Sequence, residues 1–330
     1  MRPESPTGAE LGARLREGDL GAAPAVLNLV ESRAPRAREE TEALLAAVSA
    51  AALGDEARAH IVGVTGPPGV GKSSLLSRLV AEWRARDRSV AVLAVDPSSR
   101  RSGGSLLGDR ARIEADPRDR AIFIRSTAAG DRLGGLAPAT RAAAGALAAA
   151  FDVVVIETVG VGQSETEVAD VADTVAVIVQ PGSGDVLQFL KAGIMEVPDV
   201  LVVTKADLGR VAMRSLSDLR AALRSLGARN TAVLAVSSIA PVSGIGELVD
   251  ALDGHRDRLD LAARRLRARR LHALADFTTE HGERGLRALG GRREAVRWLE
   301  QQDPSLDAGT LGRALEERVR SADPSGSGTI

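Results

Sequence analysis

The middle of the chain alternates short apolar runs with segments of helical or glycine-rich character. Seven runs, all rich in Val and Ile, lie at 61–65, 90–95, 121–124, 153–156, 175–179, 200–203 and 232–236. Continuous apolar runs separated by helices are typical of strands that are buried on both faces of a sheet. The pattern therefore predicts an α/β fold, with a mostly parallel sheet covered by helices on both faces.

Helical patterns flank this central region. Residues 9–54 mix Leu, Ala and charged residues at helical spacing, with breaks at Gly and Pro, and predict two or three helices. After residue 255 no strand-like run follows, and Arg-rich segments carry Leu at helical spacing. Their apolar stripes are too narrow to predict a core of their own, so we expect these helices to pack on the main domain or on a second subunit.

The composition narrows the classes of partner. The 43 basic and 44 acidic residues nearly cancel, which predicts no nucleic-acid or membrane partner. Without cysteine there are no disulfides or thiolate metal sites, and the four scattered histidines predict no metal-ligand cluster. There is no apolar signal core, and no run approaches the ~20 apolar residues of a membrane span. We expect a soluble, cytoplasmic protein.

Residues 66–73 read GPPGVGKS, directly between the first apolar run and a helical segment. This is the strand, loop and helix context of a P-loop nucleoside triphosphatase, which favours it over a chance glycine-rich turn. We expect Lys72 to reach the β- and γ-phosphates and the Ser73 hydroxyl to ligate Mg²⁺. The nucleotide-binding candidates here are Gly66, Pro67, Pro68, Gly69, Val70, Gly71, Lys72, Ser73 and Ser74.

The run 200–203 ends in Thr-Lys-Ala-Asp, where GTPases carry Asn/Thr-Lys-x-Asp. The Asp207 carboxylate can accept from N1–H and the 2-amino group of guanine, and adenine offers no such pair of donors. Lys205 is expected to lie over the base and brace the phosphate loop, while Thr204 replaces the commoner Asn and predicts one weaker polar contact. The alternative is an ordinary helix start capped by Asp207. Backbone N–H groups for the guanine carbonyl are expected from Ser237, Ser238 and Ile239.

Acidic residues follow two further runs. Glu157 ends the run 153–156 and is placed to hold Mg²⁺ through water, and Gly160 lets a backbone N–H meet the γ-phosphate. Loss of that phosphate would release the segment, as in a switch.

Asp96 and Asp109 bracket a Gly/Ser-rich loop that suits metal binding. The alternative is a surface loop with Asp96 as a cap. A third candidate loop, 180–185, leads toward Lys191.

Taken together, these segments closely resemble the bacterial GTPases that accompany adenosylcobalamin-dependent methylmalonyl-CoA mutase, relatives of the human methylmalonic aciduria type A protein. The resemblance rests on GPPGVGKSS at 66–74, VDPSSRRSGGSLLGDRARI at 95–113, ETVGVGQSE at 157–165 and QPGSGDVLQFLKAGIMEVPDV at 180–200. LVESR at 29–33 and DPSLDAGTLGRALEER at 303–318 extend it over nearly the whole chain. Departures are Thr204 in place of Asn, and Arg-Arg-Ser at 100–102 where the family often has Thr.

The resemblance implies a homodimeric chaperone that uses GTP binding and hydrolysis to gate cofactor loading and to protect or reactivate the mutase. It implies Mg²⁺ and GTP or GDP as ligands, no cobalamin bound by this chain itself, and an adenosyltransferase as a further partner. Hydrolysis is expected to be slow alone and stimulated by the partner. The implied organisation is an N-terminal helical segment at 1–56, a P-loop GTPase domain at 57–256, a C-terminal helical dimerisation region at 257–322 and a disordered tail at 323–330.

The resemblance also assigns roles by motif. The implied metal site comprises Ser73, Asp96, Asp109 and Glu157, and the implied catalytic set comprises Lys72, Asp96, Glu157 and Lys191. The segment 182–191 resembles an additional switch that couples to the mutase, and Asp185 and Lys191 are its candidate residues. Gly162 and Gln163 are further candidates for this coupling. Two other functions stay open: a nickel-inserting GTPase, and a small-molecule kinase of the kind labelled arginine/ornithine transport kinase.

Overall fold

The computed structural model describes residues 6–32, 34–96, 113–128, 136–158, 168–182, 198–228 and 230–322. Within them, four α-helices precede the sheet, and a 3-10 turn at Leu20–Ala22 separates the first two. These helices are α1 (Gly8–Arg16), α2 (Ala23–Val30), α3 (Ala37–Ala47) and the single turn α4 (Ala50–Leu53). A capping box between Thr7 and Glu10 fixes the start of α1. The prediction that this region is helical is confirmed, although the structure has four helices where two or three were expected.

Seven parallel strands form one sheet in the described residues. They are β1 (His60–Thr65), β2 (Val90–Asp96), β3 (Ile122–Ala128), β4 (Val153–Thr158), β5 (Thr174–Val179), β6 (Val200–Val203) and β7 (Ala232–Ala235). The strand order is β3-β2-β4-β1-β5-β6-β7. Each of the seven apolar runs is a strand, although β3 extends four residues beyond the run at 121–124. The predicted α/β fold class is confirmed.

Helices cover both faces of the sheet, as the continuous apolar runs predict. Four of them alternate with the strands: α5 (Lys72–Ala85), α6 (Pro138–Leu147), α7 (Arg210–Ser225) and α8 (Ile245–Arg256). Helices α5 and α8 bury Trp83 and Leu248 against one face. Helices α6 and α7 share the other face with α1, α2 and α3, where Leu15 and Leu27 are buried. The N-terminal helices therefore complete one of the two core layers.

Three C-terminal helices build a smaller core of their own. They are α9 (Leu261–Ala288), which is interrupted at Gly282 (φ 59°), α10 (Arg292–Glu300) and α11 (Ala308–Ala322). Phe277, Leu299 and Leu315 are buried together among them. The expectation that their apolar stripes are too narrow for a core is wrong, because three narrow stripes from different helices face one another.

A buried arginine fastens α9 to the sheet. The guanidinium of Arg265 donates to both carboxylate oxygens of Asp173, at 3.0 and 2.7 Å, and to the carbonyl oxygen of Ala59 at 2.7 Å. Asp173 also accepts from the backbone N–H of Ile61 at 2.9 Å. Since Ala59 precedes β1 and Asp173 precedes β5, this cluster holds the first residues of two neighbouring strands.

None of the described helices is long and apolar enough to cross a membrane.

Candidate nucleotide-binding site

The candidate residues gather where the parallel strands end. Residues 66–71 connect β1 to α5, Glu157 lies near the end of β4, and Thr204 follows β6. In the sheet, β1 lies between β4 and β5, and β5 pairs with β6. The phosphate loop, the acidic residue and the Thr-Lys-x-Asp segment therefore share one edge of the sheet, which is the usual ligand side of an open parallel sheet.

The loop at 66–71 requires glycine at three positions. Gly66, Gly69 and Gly71 have φ of 149°, 78° and 97°, values that side-chain-bearing residues rarely adopt. At Gly66 a Cβ would also lie 2.2 Å from the carbonyl oxygen of Ile178 in β5. No side chain caps the start of α5 at Lys72, so its first N–H groups face the loop as a phosphate site requires.

Lys72 folds back across the loop. Its Nζ donates to the carbonyl oxygens of Gly66 at 2.8 Å and Pro67 at 3.1 Å, and the side chain is buried. Ser73, the predicted Mg²⁺ ligand, directly follows it in the first turn of α5. The backbone carbonyl of Ser73 accepts from Ser77 Oγ at 3.0 Å, which ties the first turn to the second.

Glu157 is the acidic candidate that the structure describes most fully. It lies in β4 and pairs with Val64 of β1 and Ala94 of β2, and its side chain is buried. Val64 and Ala94 precede Gly66 and Asp96 by two residues. Asp96 ends β2, with its side chain outside the described part. The candidates Asp109, Gly160, Gly162, Gln163, Asp185 and Lys191 also lie outside the described residues.

Thr204 contacts the phosphate loop. Its hydroxyl is buried and donates to the carbonyl oxygen of Val70 at 2.7 Å, with the carbonyl oxygen of Val179 at 3.1 Å. A threonine hydroxyl has one hydrogen, and both nearby acceptors are backbone groups of the loop and of β5. The sequence predicts one weaker polar contact near the base; the structure shows in addition a contact of Thr204 that braces the loop.

Lys205 links the loop to the start of the third candidate segment. It adopts a left-handed conformation (φ 55°), and its Nζ donates to the carbonyl oxygen of Gly69 at 3.3 Å and to Gln180 Oε1. Gln180 directly follows β5. Lys205 of the Thr-Lys-x-Asp segment therefore contacts both the phosphate loop and the first residue of the third candidate loop, 180–185.

Asp207 is positioned by the loop after β7. Ser237 Oγ lies 3.2 Å from Asp207 Oδ1 and 2.9 Å from the carbonyl oxygen of Ile239. The backbone N–H of Ser237 donates to Ser243 O at 3.0 Å in an antiparallel bridge. That the N–H groups of Ser237, Ser238 and Ile239 serve the guanine carbonyl stays a prediction. The backbone carbonyl of Ser238 accepts from Arg78 Nε at 2.9 Å.

Sequence reasoning missed three contributors. Arg78 in α5 donates to the loop after β7, and the side-chain oxygen of Gln180 accepts a hydrogen bond from Lys205. The Ser237 hydroxyl contacts the Asp207 carboxylate. Arg78 and Ser238 are 160 residues apart, so no local pattern indicates their contact. Gln180 and Ser237 stood in segments recognised as candidate loops, but only the spatial approach of β5, β6 and β7 assigns their side chains.

These residues fit a nucleoside triphosphate and its metal ion. Glycine backbone and an uncapped helix start suit phosphate oxygens, and a Cβ at Gly66 would collide with β5. A serine hydroxyl at the start of α5 and a carboxylate on β4 are oxygen donors of the kind that Mg²⁺ prefers.

The prediction about the histidines needs one correction. We expected no metal-ligand cluster from them, yet α9 and α11 bring Glu280, His281 and Glu316 within 4.8 Å of one another. Arg38 contacts the carboxylates of Glu280 at 3.0 Å and Glu316 at 3.7 Å, and supplies the positive charge there. The grouping was invisible in the sequence because Glu316 belongs to a different helix.

The sheet order, the glycine loop and the helix that follows it define a P-loop nucleoside triphosphatase fold. The chain belongs to the family described as "Methylmalonyl Co-A mutase-associated GTPase MeaB", whose sequence model matches residues 23–285. This confirms the family resemblance drawn from the motifs.

Relatives cover most of the chain. A Pyrococcus abyssi protein named as a GTPase is 40% identical over 269 residues, which is 79% of this chain and 80% of that protein. A Mycobacterium tuberculosis protein named as a GTPase is 41% identical over 278 residues, or 81% of this chain and 80% of that protein. The "Methylmalonic aciduria type A homolog, mitochondrial" of Caenorhabditis briggsae is 41% identical over 215 residues, or 62% of this chain and 52% of that protein.

Among solved structures, one described as a "LAO/AO transport system kinase" has the same fold. Its TM-score is 0.64 at 29% identity, and the match covers 95% of this chain and 97% of that one. The similarity therefore includes the helices before and after the sheet.

Proposed function

We propose that this chain binds and hydrolyses GTP and serves as a chaperone for a cobalamin-dependent acyl-CoA mutase. The observation that carries the nucleotide part is the assembly of Asp207, Lys205 and the phosphate loop at one edge of the sheet. Lys205 Nζ donates to Gly69 O, and the Thr204 hydroxyl donates to Val70 O. The segment proposed to recognise guanine is thus held in a fixed position relative to the proposed phosphate site.

Base selectivity is assigned to Asp207. A carboxylate is an acceptor at both oxygens, and guanine presents two adjacent donors, N1–H and the 2-amino group. The Ser237 hydroxyl beside Oδ1 limits the rotation of that carboxylate. Adenine has an acceptor at N1 and would leave Asp207 facing a lone pair, which disfavours ATP.

Phosphate binding is assigned to the loop, to Lys72 and to Ser73. Lys72 now donates to Gly66 O and Pro67 O, and it has to turn from these carbonyls to contact a phosphate oxygen. A bound Mg²⁺ would neutralise charge between the β- and γ-phosphates. Ser73 is proposed to hold that ion directly, with Glu157, Asp96 and Asp109 around it.

The partner is proposed from the family. Its description names association with methylmalonyl-CoA mutase, and the Caenorhabditis relative is named for methylmalonic aciduria type A. We assign the coupling to Gly162, Gln163, Asp185 and Lys191, and we propose that turnover is slow until the mutase binds. A homodimer and an adenosyltransferase as a further partner belong to the same proposal, and cobalamin is held by the mutase.

A kinase is the second candidate, because the solved structure at 29% identity is described as one. Titration calorimetry with GTP and ATP in the presence of Mg²⁺ separates the two functions. We expect GTP to bind at least a hundredfold more tightly than ATP. Tighter binding of ATP would overturn the assignment of Asp207 and the GTPase proposal with it.

Substitution of Asp207 by Asn provides a sharper test. Asn offers one donor and one acceptor, which matches the 2-oxo group and N1–H of xanthine. We expect Asp207→Asn to lose at least a hundredfold in GTP affinity and to gain affinity for xanthosine triphosphate. Asp218→Asn, on the exposed face of α7, is the matched control and should leave both affinities unchanged.

The partner is tested with the mutase and purified protein. We expect the mutase to raise the GTP hydrolysis rate at least tenfold, and Lys72→Ala to abolish hydrolysis with and without it. If hydrolysis requires Lys72 but no cobalamin-dependent mutase co-purifies from native cells or changes the rate, the partner assignment fails and the GTPase assignment stands.

A further inference from the structure

A cavity of about 750 Å³ opens between the helices that flank the sheet. Its walls come from α3, α6, α9 and α11, and none of the phosphate-loop residues 66–73 lines it. Volumes of ~300–1,000 Å³ with mainly apolar walls are typical of small-molecule sites, and spaces between packed helices are one of their usual locations. The cavity is therefore separate from the proposed nucleotide site.

Two glycines keep this space open. Gly145 in α6 and Gly312 in α11 both line the cavity, and a Cβ at either would meet no described atom within 4 Å. Both lie inside helices, where glycine costs roughly 0.5–1 kcal/mol relative to alanine. No turn, positive φ or close contact in the described residues requires them. We attribute the two glycines to the cavity, because a side chain at either position would occupy part of its volume.

Three arginines on the walls are already paired with carboxylates. Arg141 donates to Asp276 at 2.5 Å, and Arg269 donates to Glu56 at 3.0 Å. Arg313 donates to Glu42 at another wall. A charged ligand would find no unpaired counter-ion among these groups, and it would lose hydration on entry.

The imidazole of His272 adds no charge at neutral pH. Burial, together with the nearby Arg141 cation, lowers its pKa to about 4. Much of the remaining lining is apolar, and Ala142, Ala148 and Phe277 contribute to it. An occupant near neutral pH therefore meets apolar surface and ion pairs that need no further partner.

We propose that this cavity binds an uncharged, largely apolar small molecule. The volume sets the size of the ligand, the glycines explain why the space is not filled by side chains, and the paired charges select against an ionised ligand. The site is a second one, and it goes beyond the proposed nucleotide chemistry.

Benzophenone is a suitable probe, because it is uncharged, fits the volume and cross-links on irradiation. We expect saturable photolabelling of the full-length protein on peptides of α3, α6, α9 or α11, identified by mass spectrometry. 4-Benzoylbenzoate is benzophenone with an added carboxylate, and we expect it to bind at least tenfold more weakly. Equal binding of the two probes, or labelling that never saturates, would overturn the proposal.

The two glycines give matched variants. Gly145→Phe and Gly312→Phe should each reduce benzophenone labelling at least tenfold, because each adds a large side chain to the cavity from a different helix. Gly145→Ala adds one methyl group and should keep labelling within threefold while raising the melting temperature. Circular dichroism establishes that each variant is folded.

Two results count against a ligand site here. One is a folded Gly145→Phe or Gly312→Phe variant that still labels as the parent protein does. The other is a change in sedimentation mass in both Phe variants while benzophenone labelling stays the same. That result would show that a second copy of the chain occupies the space.

Discussion

At the scale of single residues, Thr204 shows how a small side chain holds two segments together. Its hydroxyl donates to Val70 O and lies near Val179 O, so it ties the phosphate loop to the central strands. Thr204→Val keeps the shape and removes the donor. Since a buried acceptor without its partner costs about 1–3 kcal/mol, we expect GTP affinity to fall about tenfold in calorimetry.

The control for this prediction is Thr127→Val. Thr127 is equally buried, and its hydroxyl contacts Thr140 at 3.3 Å, away from the phosphate loop. It should lower the free energy of unfolding by a similar amount and leave GTP affinity unchanged. An equal loss of affinity in both variants would mean that Thr204 acts through general stability alone.

His272 gives a prediction for the pH dependence of stability. Its folded pKa is about 4, below the ordinary value of 6.5, because of burial and the Arg141 charge. The unfolded chain therefore binds the proton more readily, and the contribution to stability is complete above pH 6.5 and is lost as the pH falls toward 4. The loss from this group is about 2–3 kcal/mol between pH 7 and pH 4.5.

Urea unfolding at the two pH values measures this effect. His272→Gln should reduce the difference in unfolding free energy between pH 7 and pH 4.5, because glutamine does not titrate. His281→Gln, on the same helix but outside the cavity wall, is the control. An unchanged difference in His272→Gln would contradict the prediction.

The residues whose roles follow from local pattern were predictable from sequence. Gly66 and Lys72 belong to a contiguous motif with a known strand and helix context, and Asp207 follows a strand at fixed spacing. The contacts of Arg78 and of the Ser237 hydroxyl were not predictable, because they depend on how far apart the ends of different strands lie. The direction of the Thr204 hydroxyl was missed for the same reason.

At the scale of elements, the attachment of α9 depends on Arg265. Its guanidinium donates to Asp173 and to Ala59 O, and both carboxylate oxygens of Asp173 are used. Arg265→Leu would leave Asp173 buried without its cation. Removal of one partner of a buried ion pair costs about 3–5 kcal/mol, and we expect this loss in chemical denaturation.

Arg267→Leu is the matched control for the docking of α9. Arg267 is two residues further along the same helix and is exposed. Its substitution should change the free energy of unfolding by less than about 0.5 kcal/mol. Equal effects of the two substitutions would show that the cluster at Asp173 does not secure the helix.

The strands were easier to predict than the C-terminal helices. A strand buried on both faces has a continuous apolar run, so each strand can be predicted from its own residues alone. The core around Phe277, Leu299 and Leu315 arises only when three helices meet, and no one of them has enough apolar surface to indicate it. For that reason the sequence suggested packing on the main domain or on a second subunit, whereas the three helices pack on one another.

At the scale of the whole molecule, the proposed homodimer is open to a direct test. Leu271 on α9 and Val296 on α10 are exposed apolar side chains in the proposed dimerisation region. We expect sedimentation to give twice the chain mass, and the double variant Leu271→Arg, Val296→Arg to shift it toward one chain. Leu226→Arg, an exposed Leu after α7, should leave the mass at two chains.

The position of Arg265 bears on how the protein can be divided. A polypeptide that ends at residue 256 keeps every described strand and the phosphate loop, and so resembles a self-contained enzyme. It lacks Arg265, however, and Asp173 would then carry an uncompensated charge at the base of β5. The C-terminal helices therefore contribute to the stability of the part that carries the sheet and the phosphate loop, and we expect activity measured on such a fragment to underestimate that of the intact protein.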